Sequence, residues 1–117
     1  MGYSDVGKDL MLDALGAVAV FVSLHDGAPG DNGANEIAGG APAYIRKAIT
    51  WNASAAGSLD SSNTPELNVP AGTTVTYVGF WSAEAAGTFY GFADVTDEVY
   101  AGQGTYTVTD ADLDLNA

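Results

Sequence analysis

The sequence predicts a mainly β chain: a compact antiparallel β-sandwich or small barrel with one short N-terminal helix. Three observations lead there. Residues 70–95 read PAGTTVTYVGFWSAEAAGTFYGFADV, a tight turn followed by two alternating, aromatic-rich runs across a small loop, the pattern of a hairpin. Fifteen glycines among many Thr, Val and Ala residues suit numerous turns between short strands. The chain is 47% hydrophobic and only 15% charged, which opposes disorder. A chain of 117 residues without a composition break is expected to be one domain, 1–117, burying roughly 65% of its extended surface.

Each element follows in order. Ser4 or Asp5 can cap a helix over residues 5–15, with Val6, Leu10 and Ala14 in one stripe beside Met11 and Leu15, and Gly16 as its stop. The β domain, 17–115, begins with AVAVFVSL. Val18, Val20, Val22 and Leu24 share one side there and Phe21 the other, as in a central strand. Residues 25–43 form a polar, glycine-rich stretch too long for a hairpin, and so a functional loop or an extended arm. AYIRKAITW resumes as a strand, Ile45, Ile49 and Trp51 on one face and Tyr44, Arg46, Ala48 and Thr50 on the other. The polar connection after it carries a short strand near residues 57–60, and ELNV leads into the turn at Pro70. In the hairpin Val75, Tyr77, Gly79 and Trp81 point one way, and Val78 and Phe80 the other. Residues 82–87 connect its strands. A turn at residues 102–104, a strand over 105–109, and a terminal strand or docked tail with Leu113 and Leu115 complete the chain.

The charge narrows the function. Fifteen acids against three bases leave −12, which repels phosphate backbones and argues against direct nucleic-acid binding. There is no cysteine, so packing alone must hold the fold. No signal-peptide pattern is visible, and the longest apolar run, residues 14–24, is about half a membrane span. The chain therefore reads as soluble and unexported, with no membrane partner. Arg46 and Lys47 fall on opposite strand faces and form no common patch. They read as solvated charges, with Arg46 alternatively contacting an acidic neighbouring subunit.

No grouping is built for catalysis. Asp26, Asp31, Asn35 and Glu36, or Asp110, Asp112 and Asp114, offer oxygens suited to calcium, but neither stretch has the twelve-residue loop pattern. His25 is the lone histidine, so any serine triad would rest on it, and no GxSxG stands in the sequence. Asp94, Asp97 and Glu98 could be paired as carboxylates only with a separation no sequence provides. Gly39–Gly40 and Gly102–Gly104 lack a phosphate-loop lysine. Asn52, Ala53 and Ser54 match a glycosylation triplet without a secretory signal. The aromatic set Tyr77, Phe80, Trp81, Phe89, Tyr90 and Phe92 could stack on sugars or bases but suits core and interface. The expectation is a non-enzymatic protein with no cofactor and no metal.

Several segments together resemble a family of small virion structural proteins of tailed phages, particularly those infecting actinobacteria. They are LHDGAPGDNGANEIAGG, YIRKAITW, PAGTTVTYVGFW and the continuation GTFYGFADVTDEVYAGQGTY. The resemblance covers nearly the whole chain, and its order and combination are specific. Asp26 stands where that family usually has a threonine or similar residue. Members are variously minor capsid, minor tail or tail-fibre-like proteins, so the resemblance implies a virion component and brings no catalytic residue.

Between head and tail, the sequence favours the head. With no heptads, no collagen-like repeat and no long shaft, the chain cannot by itself build a fibre. A capsid decoration protein, on the outer surface of the major capsid protein lattice, is the expected function. A homotrimer of charge 3 × (−12) = −36 would sit outside, away from packaged DNA. The expected interface is Asp26, Pro29, Asp31, Asn32, Asn35, Glu36, Ile37, Tyr44 and Arg46. Deleting residues 30–40 should then abolish capsid loading and leave the fold intact. The alternative is a minor tail or tail-fibre-like protein at the tail tip contacting the host surface.

Overall fold

A computed structural model of the chain describes residues 2–109 and 111–115. Helix α1 spans Asp5–Gly16, and the Ser4 side chain accepts a hydrogen bond from the Gly7 amide as its N-cap. Eight strands follow: β1 Phe21–His25, β2 Lys47–Ala48, β3 Ser58–Asp60, β4 Glu66–Val69, β5 Thr73–Trp81, β6 Phe89–Tyr100, β7 Gly104–Thr107 and β8 Asp112–Asp114. All described pairings are antiparallel. The main sheet runs β2-β1-β5-β6 and is open at β2 and β6, while β3-β8 and β4-β7 form two ribbons. The mainly β, antiparallel fold with one N-terminal helix is as the composition and the alternating runs predict.

The main core lies between the sheet and the β4-β7 ribbon. Val22 and Leu24 of β1, Val75, Val78 and Phe80 of β5, Leu67 and Val69 of β4, and Val108 after β7 form one buried cluster with Ile37 and Ile49. Strand β1 is interior, as its β-branched run predicts, although Val18 lies before the strand and is exposed.

The expected alternation of the hairpin is broken once. Thr73–Val75 pair with Tyr100–Glu98, but Tyr77 pairs with Asp94, so three residues of β6 oppose one of β5; a second shift follows Phe80. Such bulges bend and twist the pair. Here the first one rotates the strand's parity, so that Val75 joins Val78 and Phe80 in the core instead of siding with Tyr77 and Gly79.

Two expectations fail outright. The strand expected over AYIRKAITW is two residues long, and its faces are reversed near its start: Ile45 is exposed and Arg46 is buried. The helix is also turned over. Val6 and Leu10 are 80% and 73% exposed, whereas Leu12 is buried. The cause is polar: Asp9 accepts from the Gly57 amide and Asp13 from the Ser54 amide, both at 2.9 Å. The Ser54 hydroxyl donates to the Asp9 carbonyl. These bonds to the segment before β3 hold the acidic side of α1 against the body, with Gly16 close to Leu59 and Trp51.

Candidate functional site

The three motif blocks meet on the sheet face opposite the main core. Ser23 and His25 of β1 stand beside Gly79 and Trp81 of β5, because Ser23 pairs with Gly79, Phe21 with Trp81 and His25 with Tyr77. A Cβ on Gly79 would lie 2.5 Å from Ser23 Oγ and 2.6 Å from His25 Nε2. Glycine in a strand interior marks such a close approach, and here it makes room for the imidazole. Residues 26–35 fold over this face as a closed loop. The Asp26 amide donates to the Asn35 carbonyl (3.1 Å) and the Ile37 amide to the Leu24 carbonyl (3.1 Å), and Asn35 Nδ2 donates to the Ala28 carbonyl. Gly33, at φ +76°, lies close against Trp81, where a Cβ would collide with Cζ2 and Cη2 of the indole. The segment is thus a packed Ω-like loop, and the extended-arm expectation is corrected: its own hydrogen bonds return it to the sheet.

A directed hydrogen-bond chain runs through the face. His25 Nδ1 lies 2.8 Å from the Ala34 carbonyl oxygen, so Nδ1 carries the proton and donates. Nε2 then accepts from Ser23 Oγ at 2.7 Å, and Ser23 accepts from Trp81 Nε1 at 2.8 Å. Ser23 and His25 have no exposed surface. Burial pushes the His25 pKa below its ordinary value, outweighing the opposing pull of the Ala34 hydrogen bond and the Glu36 charge. The imidazole is therefore neutral. A serine within reach of a histidine resembles a nucleophile and base, but this pair is sealed from substrate, its third partner is a backbone carbonyl, and the serine already accepts from an indole. It is a structural arrangement.

Next to it lies a buried ion pair. Arg46 donates through Nε to Glu36 Oε2 (2.9 Å) and through Nη2 to Oε1 (2.8 Å), a bidentate geometry. Nη1 donates to the Ala83 and Ala86 carbonyls at 3.1 and 2.8 Å, and the guanidinium carbon sits 3.6 Å from the Trp81 ring centroid. Tyr44 donates to Glu36 Oε2 at 2.6 Å and accepts from the Leu24 amide. Burial alone would raise the Glu36 pKa, but the hydrogen bonds from Arg46 and Tyr44 prevail and hold it below the usual carboxylate range. Burial, with Glu36 as acceptor, drives the Tyr44 hydroxyl far above its usual value. Among the described residues no buried side-chain polar atom lacks a partner.

The predicted interface set therefore splits. Pro29, Ile37 and Arg46 are buried, and Glu36 and Tyr44 are half-buried in the network, which corrects the reading of Arg46 as a solvated charge. Asp26, Asp31, Asn32 and Asn35 remain on the surface. Deleting residues 30–40 would remove Gly33 and Glu36, so it cannot leave the fold untouched. The calcium candidates are not gathered either: Glu36 is taken by Arg46, Asp112 and Asp114 lie on β8, and Asp110 lies outside the described residues. Sequence reasoning missed Ser23, Gly33, Gly79 and Trp81 as one unit. The signal available was a glycine inside the best strand of the chain, next to the lone histidine's expected neighbour.

On the hairpin, the aromatic set is sorted by depth. Phe80 and Trp81 are buried, Tyr77 and Phe89 half-buried, and Tyr90 and Phe92 about 40% exposed. Tyr77 and Phe92 meet edge to face at 5.8 Å, and Phe89 bridges His25 and Trp81. Tyr90 and Phe92 stand on β6, an edge of the open sheet.

Residues 13–115 match the model of a family described as Podophage GP4 fiber I protein gp80. No curated protein matches the sequence.

Proposed function

Because the chain belongs to the podophage GP4 fiber I protein gp80 family, whose members are phage fibre structural proteins, we propose that it serves at the tail and meets the host surface through the exposed aromatics of its hairpin. As a member, the chain is a virion fibre component and not an enzyme. The capsid-decoration reading thereby gives way to its alternative. Missing heptads bear only on whether this chain could form a shaft; a fibre also needs compact units, and this chain is one.

The observation that carries the host-surface reading is the exposure of Tyr90 and Phe92 on an edge strand, braced by Tyr77 and the immobilised face beneath. Two aromatic side chains held on rigid backbone give contact area with little entropy to lose on binding. The acidic surface favours neutral or cationic host groups over anionic ones. Gold-labelled antibody against the chain should decorate the tail of intact particles, and the purified protein should slow adsorption unless both Tyr90 and Phe92 are changed to Ser. Label spread evenly over the head, or equal competition by the double variant, would overturn the proposal.

A further inference from the structure

We propose that the cleft between the C-terminal end of α1 and the segment around Trp51 receives an arginine side chain from a protein of different sequence. The molecule itself shows how it holds a guanidinium. Arg46 is met by the Glu36 carboxylate, two backbone carbonyls and the face of the Trp81 indole, which supply acceptors for its N–H groups and a π face for its plane. The same three kinds of group line the cleft, whose volume is about 440 Å³ and within the range of small-ligand sites. They are the Asp13 carboxylate, the end of α1 at Gly16 and Ala17, and the Trp51 indole, with Thr50 and Asn52 beside them. Among the described residues that line it, Asp13 alone is charged.

Three sources of negative potential converge there. The helix has no basic residue in its last turn, so its carbonyl end is uncompensated. Asp13 Oδ1 accepts from the Ser54 amide at 2.9 Å, but an ionised carboxylate has about four acceptor sites and keeps capacity for a ligand. Trp51 adds the negative face of its ring. The indole is fixed by Nε1, which donates to the Ala19 carbonyl at 2.8 Å, and by Phe80, whose ring centroid lies 5.5 Å away. At Gly16 a Cβ would stand 3.4 Å from the indole, so the helix end is close to the ring. The opposite wall is tied down as well: the Asn52 amide donates to the Asp60 carbonyl and the Ser54 hydroxyl to the Asp9 carbonyl. The cleft is thus formed in advance, and binding costs little ordering of its walls.

Charge and shape select the occupant. A chain of −12 favours a cation and repels phosphates and acidic sugars. An ammonium would satisfy the charge, but only a guanidinium also lies flat on an indole and forks onto several acceptors. Arg46 is the only arginine of the sequence, and it is buried in its own ion pair, so a second copy has no guanidinium to offer. The inference stands apart from the host-surface reading, because Tyr90 and Phe92 take no part in the cleft.

The test uses the purified chain, labelled with ¹⁵N, and N-acetyl-arginine methylamide as the probe. The Trp51 indole N–H signal should shift saturably with a dissociation constant of about 1 mM, while that of Trp81, held by Ser23, stays in place. The citrulline analogue, of the same shape but uncharged, should bind about tenfold more weakly, and added salt should weaken the arginine probe. Asp13→Asn keeps an acceptor for the Ser54 amide and should weaken binding about fivefold; Asp97→Asn, an equal loss of charge at an exposed position of β6, should leave it unchanged. Ala17→Arg, at another exposed position lining the cleft, supplies a guanidinium from the chain itself and should abolish binding of the probe. No saturable shift, equal binding of the citrulline analogue, equal weakening by Asp97→Asn, or tighter binding of a neutral methyl glycopyranoside at the same signal would each overturn the proposal.

Discussion

Glu36→Gln tests whether the motif blocks exist to build the second face of the sheet. The substitution keeps size and an acceptor for Tyr44 but removes the charge opposite Arg46, whose guanidinium stays among the Ala83 and Ala86 carbonyls and the Trp81 ring. Removing one partner of a buried pair costs about 3–5 kcal/mol because the other is left uncompensated. The side chains are 8% and 22% exposed for Arg46 and Glu36, and water reaching the carboxylate moves the expectation to the low end, about 3 kcal/mol. For a chain of this size that is a fall in Tm of roughly 10 °C. Urea unfolding of Glu36→Gln, Arg46→Met and the double variant measures it. The double variant should lose much less than the sum of the two singles, because either change alone already breaks the pair. A loss below about 1 kcal/mol for Glu36→Gln, the value of an exposed ion pair, would refute the reasoning, as would additivity of the two.

Three further outcomes follow from the same face. The unfolded His25 titrates near 6.5 and the folded one lower, so below that pH the unfolded state binds the extra proton. Stability should hold above pH 6.5 and decline below it by up to about 1.4 kcal/mol per pH unit. A second decline should begin under pH 4.5 as Glu36, held low in the fold, protonates; a flat urea midpoint between pH 5 and 6.5 would contradict this. Gly79→Ala should cost about 2–4 kcal/mol by chemical denaturation, since its Cβ would displace Ser23 and His25, and a neutral effect would mean the face is loosely packed. Ser23→Ala should cost about 2 kcal/mol by leaving the Trp81 indole and the imidazole without their partner, and a fluorophosphonate probe should leave the native protein unlabelled; labelling at Ser23 would reopen the question of catalysis.

Much of the architecture could be read from local patterns. The helix cap at Ser4, the interior strand β1, the long hairpin and the short strands near residues 57–60 and 105–109 all rest on periodicity or turn chemistry, which neighbouring residues carry by themselves. What could not be read depends on distant partners. Arg46 is buried because Glu36, two carbonyls from the 82–88 loop and an indole converge on it, and nothing in YIRKAITW announces them. The helix reversed its expected facing because Asp9 and Asp13 found backbone amides more than forty residues away, where a pattern of apolar residues gives no warning. The parity change in the hairpin is likewise set by a pairing mismatch between two strands, a property of neither alone.

That mismatch has a practical corollary. Since three residues of β6 already oppose one of β5 around Thr96, an added residue there can be absorbed by lengthening the mismatch, whereas one added beside Gly79, which is held in register with Ser23, would turn the neighbouring side chains to the opposite face. The site is a convenient one for grafting a short epitope.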